Sequence, residues 1–200
     1  MSSAVPRPLR LVLATANRVK RGWLSDALTD EHLAVDEELV PDDIAETGST
    51  CEANARLKAT SIGPLAGRVV VAEDSGLFVD GLDGFPCTHT ARWVTGTDDD
   101  RARALLDRCV GLSGPDRSAR FESVVVLLFP DGRTEVHRGA LRGSIREHYE
   151  GRSGDGYAAI FEPDRPEPTT ANETIAAGDH RHQALERARA SLREYARSRP

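Results

Sequence analysis

The chain has 200 residues, 39% hydrophobic and 29% charged, which places it among folded globular proteins rather than disordered ones. It carries 26 Lys and Arg against 32 Asp and Glu, a net charge of −6, and so lacks the basic surplus that nonspecific DNA or RNA binding needs. Small phosphorylated ligands stay open, because a local cluster of positive groups suffices for them.

The length suits one domain, or two tightly coupled lobes. The three cysteines, Cys51, Cys87 and Cys109, are odd in number and form no CxxC pair. A disulfide framework and a cysteine zinc site are both disfavoured, and the usage fits a reducing cytoplasm. The longest apolar run, Val124–Phe129, is far short of the roughly 20 residues of a membrane span, so no membrane partner is expected. Arg7 and Arg10 before Leu11–Ala16 have the outline of a signal peptide, but the apolar stretch is too short and runs into a polar turn.

Residues 1–8, with two prolines and two serines, are expected to form a disordered tail, and 9–200 a single domain. Leu9–Ala14 reads as a buried strand. Asn17 then caps a helix to about Leu28, with Val19, Trp23, Leu24, Ala27 and Leu28 on one stripe. Ser49 with Glu52 reads as a capping box for a helix to about Ile62, ended by Gly63 and Pro64. Val69–Ala72 reads as a short strand that stops at Glu73-Asp74-Ser75-Gly76. Asp98, Asp99 and Asp100 open a helix to about Val110. Arg120–Phe129 and Thr134–Leu141 read as strands joined by the Pro130-Asp131-Gly132 turn, with Ser144–His148 as a third. A glycine-rich loop spans Gly151 to Gly156. Thr170 with Glu173 caps a short helix, and a last helix starts near Asp179 with Ala184, Leu185, Ala188, Leu192 and Tyr195 on its apolar stripe. The pattern is mixed α/β.

Four places could carry chemistry, and each has an ordinary structural reading beside the functional one. Thr15-Ala16-Asn17, with Lys20 one turn on, could meet an anion at a helix N-terminus, or could be a capped turn with a solvated lysine. Glu73-Asp74-Ser75-Gly76 could hold Mg²⁺, which borrows one or two carboxylates and substrate phosphates, or could be an acidic turn. Adjacent acids on a strand would face opposite sides. His180-Arg181 could present donors to a phosphate or carbonyl, or be a surface pair. Gly154-Asp155-Gly156-Tyr157 could set an aromatic beside a ligand, or bury Tyr157 in the core.

In order, these pieces resemble one family, the inosine triphosphate pyrophosphatases, which act on non-standard purine nucleoside triphosphates. Its T-x-N-x-x-K turn matches Thr15, Asn17 and Lys20. Its E-T-G-x-T segment matches Glu46-Thr47-Gly48 and Thr50, and N-A-x-x-K-A matches Asn54-Ala55 and Lys58-Ala59. Ala72-Glu73-Asp74-Ser75-Gly76-Leu77, Gly84 and Pro86 with Ala91-Arg92, Gly156-Tyr157 with Ile160-Phe161, and His180-Arg181 follow, over about residues 9–190. The resemblance implies an elongated, two-lobed α/β fold, a mixed sheet flanked by helices with a central substrate cleft, and a homodimer; Phe85 and Trp93 are candidate exposed apolar residues for it. It implies Mg²⁺-dependent cleavage of a nucleoside triphosphate to the monophosphate and pyrophosphate. Asp74 would be the general base or water-orienting carboxylate and a metal ligand, with Glu46 the second metal ligand. Thr15, Ala16, Asn17, Lys20, Lys58 and Ser75 would hold the triphosphate; Gly156, Tyr157, His180 and Arg181 would meet the base or α-phosphate.

The departures fall at the base end. The family's F-G-Y-D-P reads Asp155-Gly156-Tyr157-Ala158-Ala159, its lysine before the histidine is Ile175, and its serine is Asp179. Cys87, Ala16 and Ala53 also depart from the pattern. An altered base specificity is expected, with a specialised pathway nucleotide diphosphatase or an inactive nucleotide-binding paralogue as alternatives.

Overall fold

The computed structural model of the chain describes residues 7–36, 44–164 and 179–199. The helix expected from Thr170 and Glu173, Ile175 and most of the expected tail lie outside these residues. The strands are β1 (Leu9–Leu13), β2 (Leu33–Val35), β3 (Arg68–Val79), β4 (Pro86–Cys87), β5 (Ser118–Leu128), β6 (Thr134–Ile145) and β7 (Phe161–Pro163). The helices are α1 (Arg18–Leu28), α2 (Cys51–Ile62), α3 (Asp98–Arg108) and α4 (His180–Ser198). All seven strands join one mixed sheet in the order β2-β1-β3-β5-β6-β7, with β4 on β3. β1 runs parallel to β2 and β3, and the remaining pairings are antiparallel.

The central strands are continuous apolar runs because helices cover both faces. On one face Leu9, Leu11, Leu13, Val69, Val71, Val125 and Leu127 pack under α1 and α4. On the other, Val12, Val70, Ala72, Val124 and Val126 pack under α2. Farther along β3 and β5, Leu77, Val79 and Phe121 pack with α3 and with the buried Tyr157, Ile160 and Phe161. The two long strands therefore run through both packed ends. No helix among the described residues is long and apolar enough to cross a membrane.

Several expectations change. β3 does not stop at Glu73; it continues through the acids to Val79, because β5 pairs with it from Val70 to Val79. Ser144 is not in a third strand but in β6, which runs unbroken to Ile145. Thr50, not Ser49, caps α2 by accepting from the Ala53 N–H. Glu52 turns instead to Arg56 and Arg138, so no capping box forms. On α1 Val19 is exposed, and Arg21 is buried instead, donating to the Asp36 carbonyl. Phe85 and Trp93 are half-buried against each other in an edge-to-face contact. They are not the exposed patch that the homodimer expectation leaned on.

Helix α4 lies across the sheet because Gly139 of β6 leaves room for its first turn. A Cβ at Gly139 would land on the His180 carbonyl and the Ala184 N–H. The other end of α4 is tied down by Asp30, whose carboxylate is 13% exposed and accepts from Arg189 and Arg193. It also accepts from the His32 and Leu33 N–H groups. Burial pushes this carboxyl up, but the His32 N–H and the two arginines outweigh it and bring it to about 2.

Gly139→Ala should destabilise the fold by about 1–3 kcal/mol in urea titrations. Gly22→Ala, in α1 with nothing near its Cβ position, should stabilise it by about 0.5–1 kcal/mol. Asp30 contributes stability above its ordinary value of 3.8 that is lost as pH falls toward 2. In Asp30→Asn, acid unfolding monitored by circular dichroism should lose that part of its pH dependence, and stability near neutral pH should drop by about 2 kcal/mol.

Candidate active site

The site forms where the sheet is incomplete. β5 covers one edge of β3 from Val70 to Val79. The other edge is shared by β1, which pairs with Arg68 to Val71, and β4, which pairs with Leu77 and Phe78. Between them, residues 72–76 have no strand beside them among the described residues. A cavity of about 290 Å³ opens at this gap. Gly76 is required there, since a Cβ would collide with the Cys87 carbonyl of β4.

Strand alternation sends the two buried acids to opposite faces. Glu73, on the α1 side, accepts from Lys20 Nζ at 2.9 Å and from Ser123 Oγ at 2.9 Å. Asp74, on the α2 side, accepts from Lys58 Nζ at 2.9 Å and from Asn54 Nδ2 at 3.3 Å. Lys58 also donates to Glu46 at 2.8 Å, and Arg92 reaches the other oxygen of Glu46. Asn54 in turn accepts from the Gly48 N–H at 2.7 Å, tying the segment that carries Glu46 to Asp74.

These contacts set the charges. Burial raises the Glu73 carboxyl, but Lys20, Arg181 and Lys58 together bring it down to about 2. Burial, helped by Glu46 and Glu73, holds the Asp74 carboxyl above its ordinary value despite Lys58 and Lys20. Burial works against the Lys58 ammonium, yet Asp74, Glu73 and Glu46 overcome it and keep the group charged. Burial also raises the Glu46 carboxyl, but Lys58 and Arg92 outweigh it and lower the group.

At the start of α1, Asn17 Oδ1 accepts from the Val19 and Lys20 N–H groups, and the Asn17 N–H donates to Thr15 Oγ1. The turn's side chains thus brace the turn, on the cavity wall. Across the cavity, Asp179 caps α4 by accepting from the His182 N–H. His180 lies flat on Phe121, ring centroids 5.1 Å apart, with no partner for Nδ1 among the described residues. Burial, then Arg181, lowers its imidazole to about 4, so it is neutral near pH 7.

The cavity wall includes Thr15, Ala16, Asn17, Lys20, Glu46, Lys58, Asp74, Ser75, Tyr157, His180 and Arg181. Gly156 is off the wall. Its N–H donates to Asp99, which secures the turn that delivers Tyr157. The Tyr157 hydroxyl is itself engaged, donating to the Thr90 carbonyl and accepting from Trp93 Nε1, both at 2.8 Å. Sequence reasoning gave no role to Asn54 or Arg92, and offered Glu73 only as part of a candidate Mg²⁺ stretch. All three stand inside matched motifs, but the Lys20 partner of Glu73 is 53 residues away.

Glu46 and Asp74 converge on one ammonium at the cavity wall, so they also suit a divalent cation. No three His, Cys, Asp or Glu side chains converge among the described residues. A protein contribution of two carboxylates, completed by water and phosphate oxygens, is the pattern of Mg²⁺.

The Ham1 family model matches residues 11–191. A dITP/XTP pyrophosphatase of Symbiobacterium thermophilum is 44% identical over 154 residues, 76% of this chain and 78% of the relative. One from Streptomyces avermitilis is 38% identical over 186 residues, 88% of this chain and 93% of the relative. Among solved structures, the Staphylococcus aureus Ham1 protein superposes with a TM-score of 0.76 at 31% identity, covering 93% of this chain and 99% of that one. By the family match and these identities, the chain belongs to the Ham1 family.

Proposed function

We propose that this chain is a nucleotide pyrophosphohydrolase, converting a nucleoside triphosphate and water to the monophosphate and pyrophosphate with Mg²⁺. The observation that carries the reading is the gap in β3, where Lys20, held by Glu73, and the Lys58–Asp74 pair meet one cavity from opposite faces of a single strand. The names of the relatives support it, since two of them are dITP/XTP pyrophosphatases.

In this reading, water attacks the α-phosphorus while the bond to the bridging oxygen breaks and pyrophosphate leaves. Asp74 takes the proton from that water. Its burial suits the task, because a carboxyl held above its ordinary value is a better base. Lys58 and Asn54 fix its two oxygens. Glu46 and Asp74 would hold Mg²⁺, which supplies positive charge against the phosphate oxygens when bound. Lys20, Ser75 and the Thr15-Ala16-Asn17 turn bind the triphosphate. No acid stands in the first turn of α1, so its positive N-terminal end is not offset locally. Both cavity lysines are already paired with carboxylates, so a polyanion gains most by arriving with a cation of its own.

The base end supports an altered specificity. Asp155, where relatives of the resemblance carry the stacking aromatic, is off the cavity wall, and its carboxylate accepts from the Arg152 N–H. Tyr157 has no spare hydroxyl group to offer. His180 on Phe121 remains as an aromatic surface, which accepts many bases. The three free cysteines fit a reducing cytoplasm.

Asp74→Asn should lower kcat by roughly 10²–10⁴-fold in a pyrophosphate-release assay, while the circular dichroism spectrum is retained. Chelation of divalent cations should abolish turnover. Nucleotide binding without any pyrophosphate release over hours would favour a binding module instead. Across ITP, XTP, ATP, GTP, CTP and UTP, kcat/KM should vary by less than about 100-fold, since Asp155, Ala158 and Ile175 stand where the resembled family carries its stacking aromatic, its acid and its lysine. A stronger preference for ITP or XTP overturns the altered specificity.

A further inference from the structure

Glu73 is not on the cavity wall, yet its environment is built around it. Its side chain is wholly withdrawn from solvent, in mid-strand, on the face where Val71 and Leu77 are packed in apolar cores. A buried carboxylate is costly unless fully paired, and packing alone would be served by another apolar residue. Both of its oxygens are used. One accepts from Ser123 Oγ, which is itself buried in β5, and the other accepts from Lys20 Nζ.

Lys20 is the group that gains. It sits on α1 one turn beyond Asn17, and its side chain is 25% exposed on the cavity wall. A lysine there would otherwise sample many rotamers. An ammonium has three donors, and Glu73 occupies one of them from below the strand. We infer that Glu73, braced by Ser123, is a positioning residue that fixes the Lys20 ammonium at the gap in β3, with its remaining N–H bonds turned to the phosphates of the substrate. The role explains why the strand carries two successive acids. Asp74 meets the substrate directly, and Glu73 acts only through a lysine. This rests on the proposed pyrophosphohydrolase reading.

A double-mutant cycle tests it. Glu73→Gln should lower kcat/KM roughly tenfold, chiefly through a higher nucleotide KM, because a phosphate contact is loosened rather than removed. Ser123→Ala should move KM in the same direction by a smaller factor. In a Lys20→Met background, either change should cost less than about twofold more, since the group they act through is gone. Unchanged kinetics in both variants overturn the proposal, and so does an equal loss with and without Lys20. If Glu73→Gln fails to fold, Ser123→Ala carries the cycle alone. A wild-type chain that releases no pyrophosphate from any triphosphate sinks the functional reading instead. The cycle is then read from calorimetric binding of inorganic tripolyphosphate, with coupling through Lys20 as the expected result. Failure of wild type to bind tripolyphosphate overturns both.

Discussion

The cavity depends on a shared strand edge. β3 is long enough to be paired along its whole length on one side, while on the other it is handed from β1 to β4 with a few residues between. A buried strand normally satisfies its neighbours with backbone alone. Here side chains mark the two ends of the interval: Thr90 Oγ1 accepts from the Leu77 N–H at the far end, and the Thr15–Asn17 turn closes the near one. The rest of the molecule keeps that interval open. α1 and α2 each bring one lysine over the strand from their own face, and α4 brings His180 close because Gly139 lets it.

The electrostatics follow from the same arrangement. Two carboxylates on adjacent residues of one strand would repel each other in a dry interior, but each is answered by a cation from a different layer. Glu73 is held firmly ionised, whereas Asp74, with less compensation, is the softer acid. Position on the strand therefore separates a firmly ionised carboxylate from one more readily protonated, although the two side chains are chemically alike. The pairing of Glu46 with both Lys58 and Arg92 extends the network to the segment before α2.

Much of this was legible from the residues. Asn17 and Asp179 cap the helices expected of them, and the apolar stripe of α4 is buried as its spacing implies. What was not legible depends on distant partners. Glu73-Asp74-Ser75-Gly76 has turn composition, and only β5 and the two lysines make it strand. Gly139 and Gly143 divide the sequence of β6, yet each is small because another segment crosses closely there. Ser49 reads as the cap of α2 through its spacing to Glu52, but Glu52 turns to two arginines and Thr50 takes the cap. Arg21 breaks the expected stripe of α1 because a backbone carbonyl awaits it inside.

Alternation along β3 has a consequence for how such a chain can vary. Side chains swap faces with every residue, so a single insertion or deletion between the β1-paired and β4-paired stretches would trade the destinations of the two acids. Glu73 would turn to the Lys58 layer and its neighbour to the Lys20 layer, and both ion pairs would be lost in one event. Loops in this molecule can change length freely by comparison. The few residues that span the gap cannot, and they act as a fixed ruler against which the two layers are aligned.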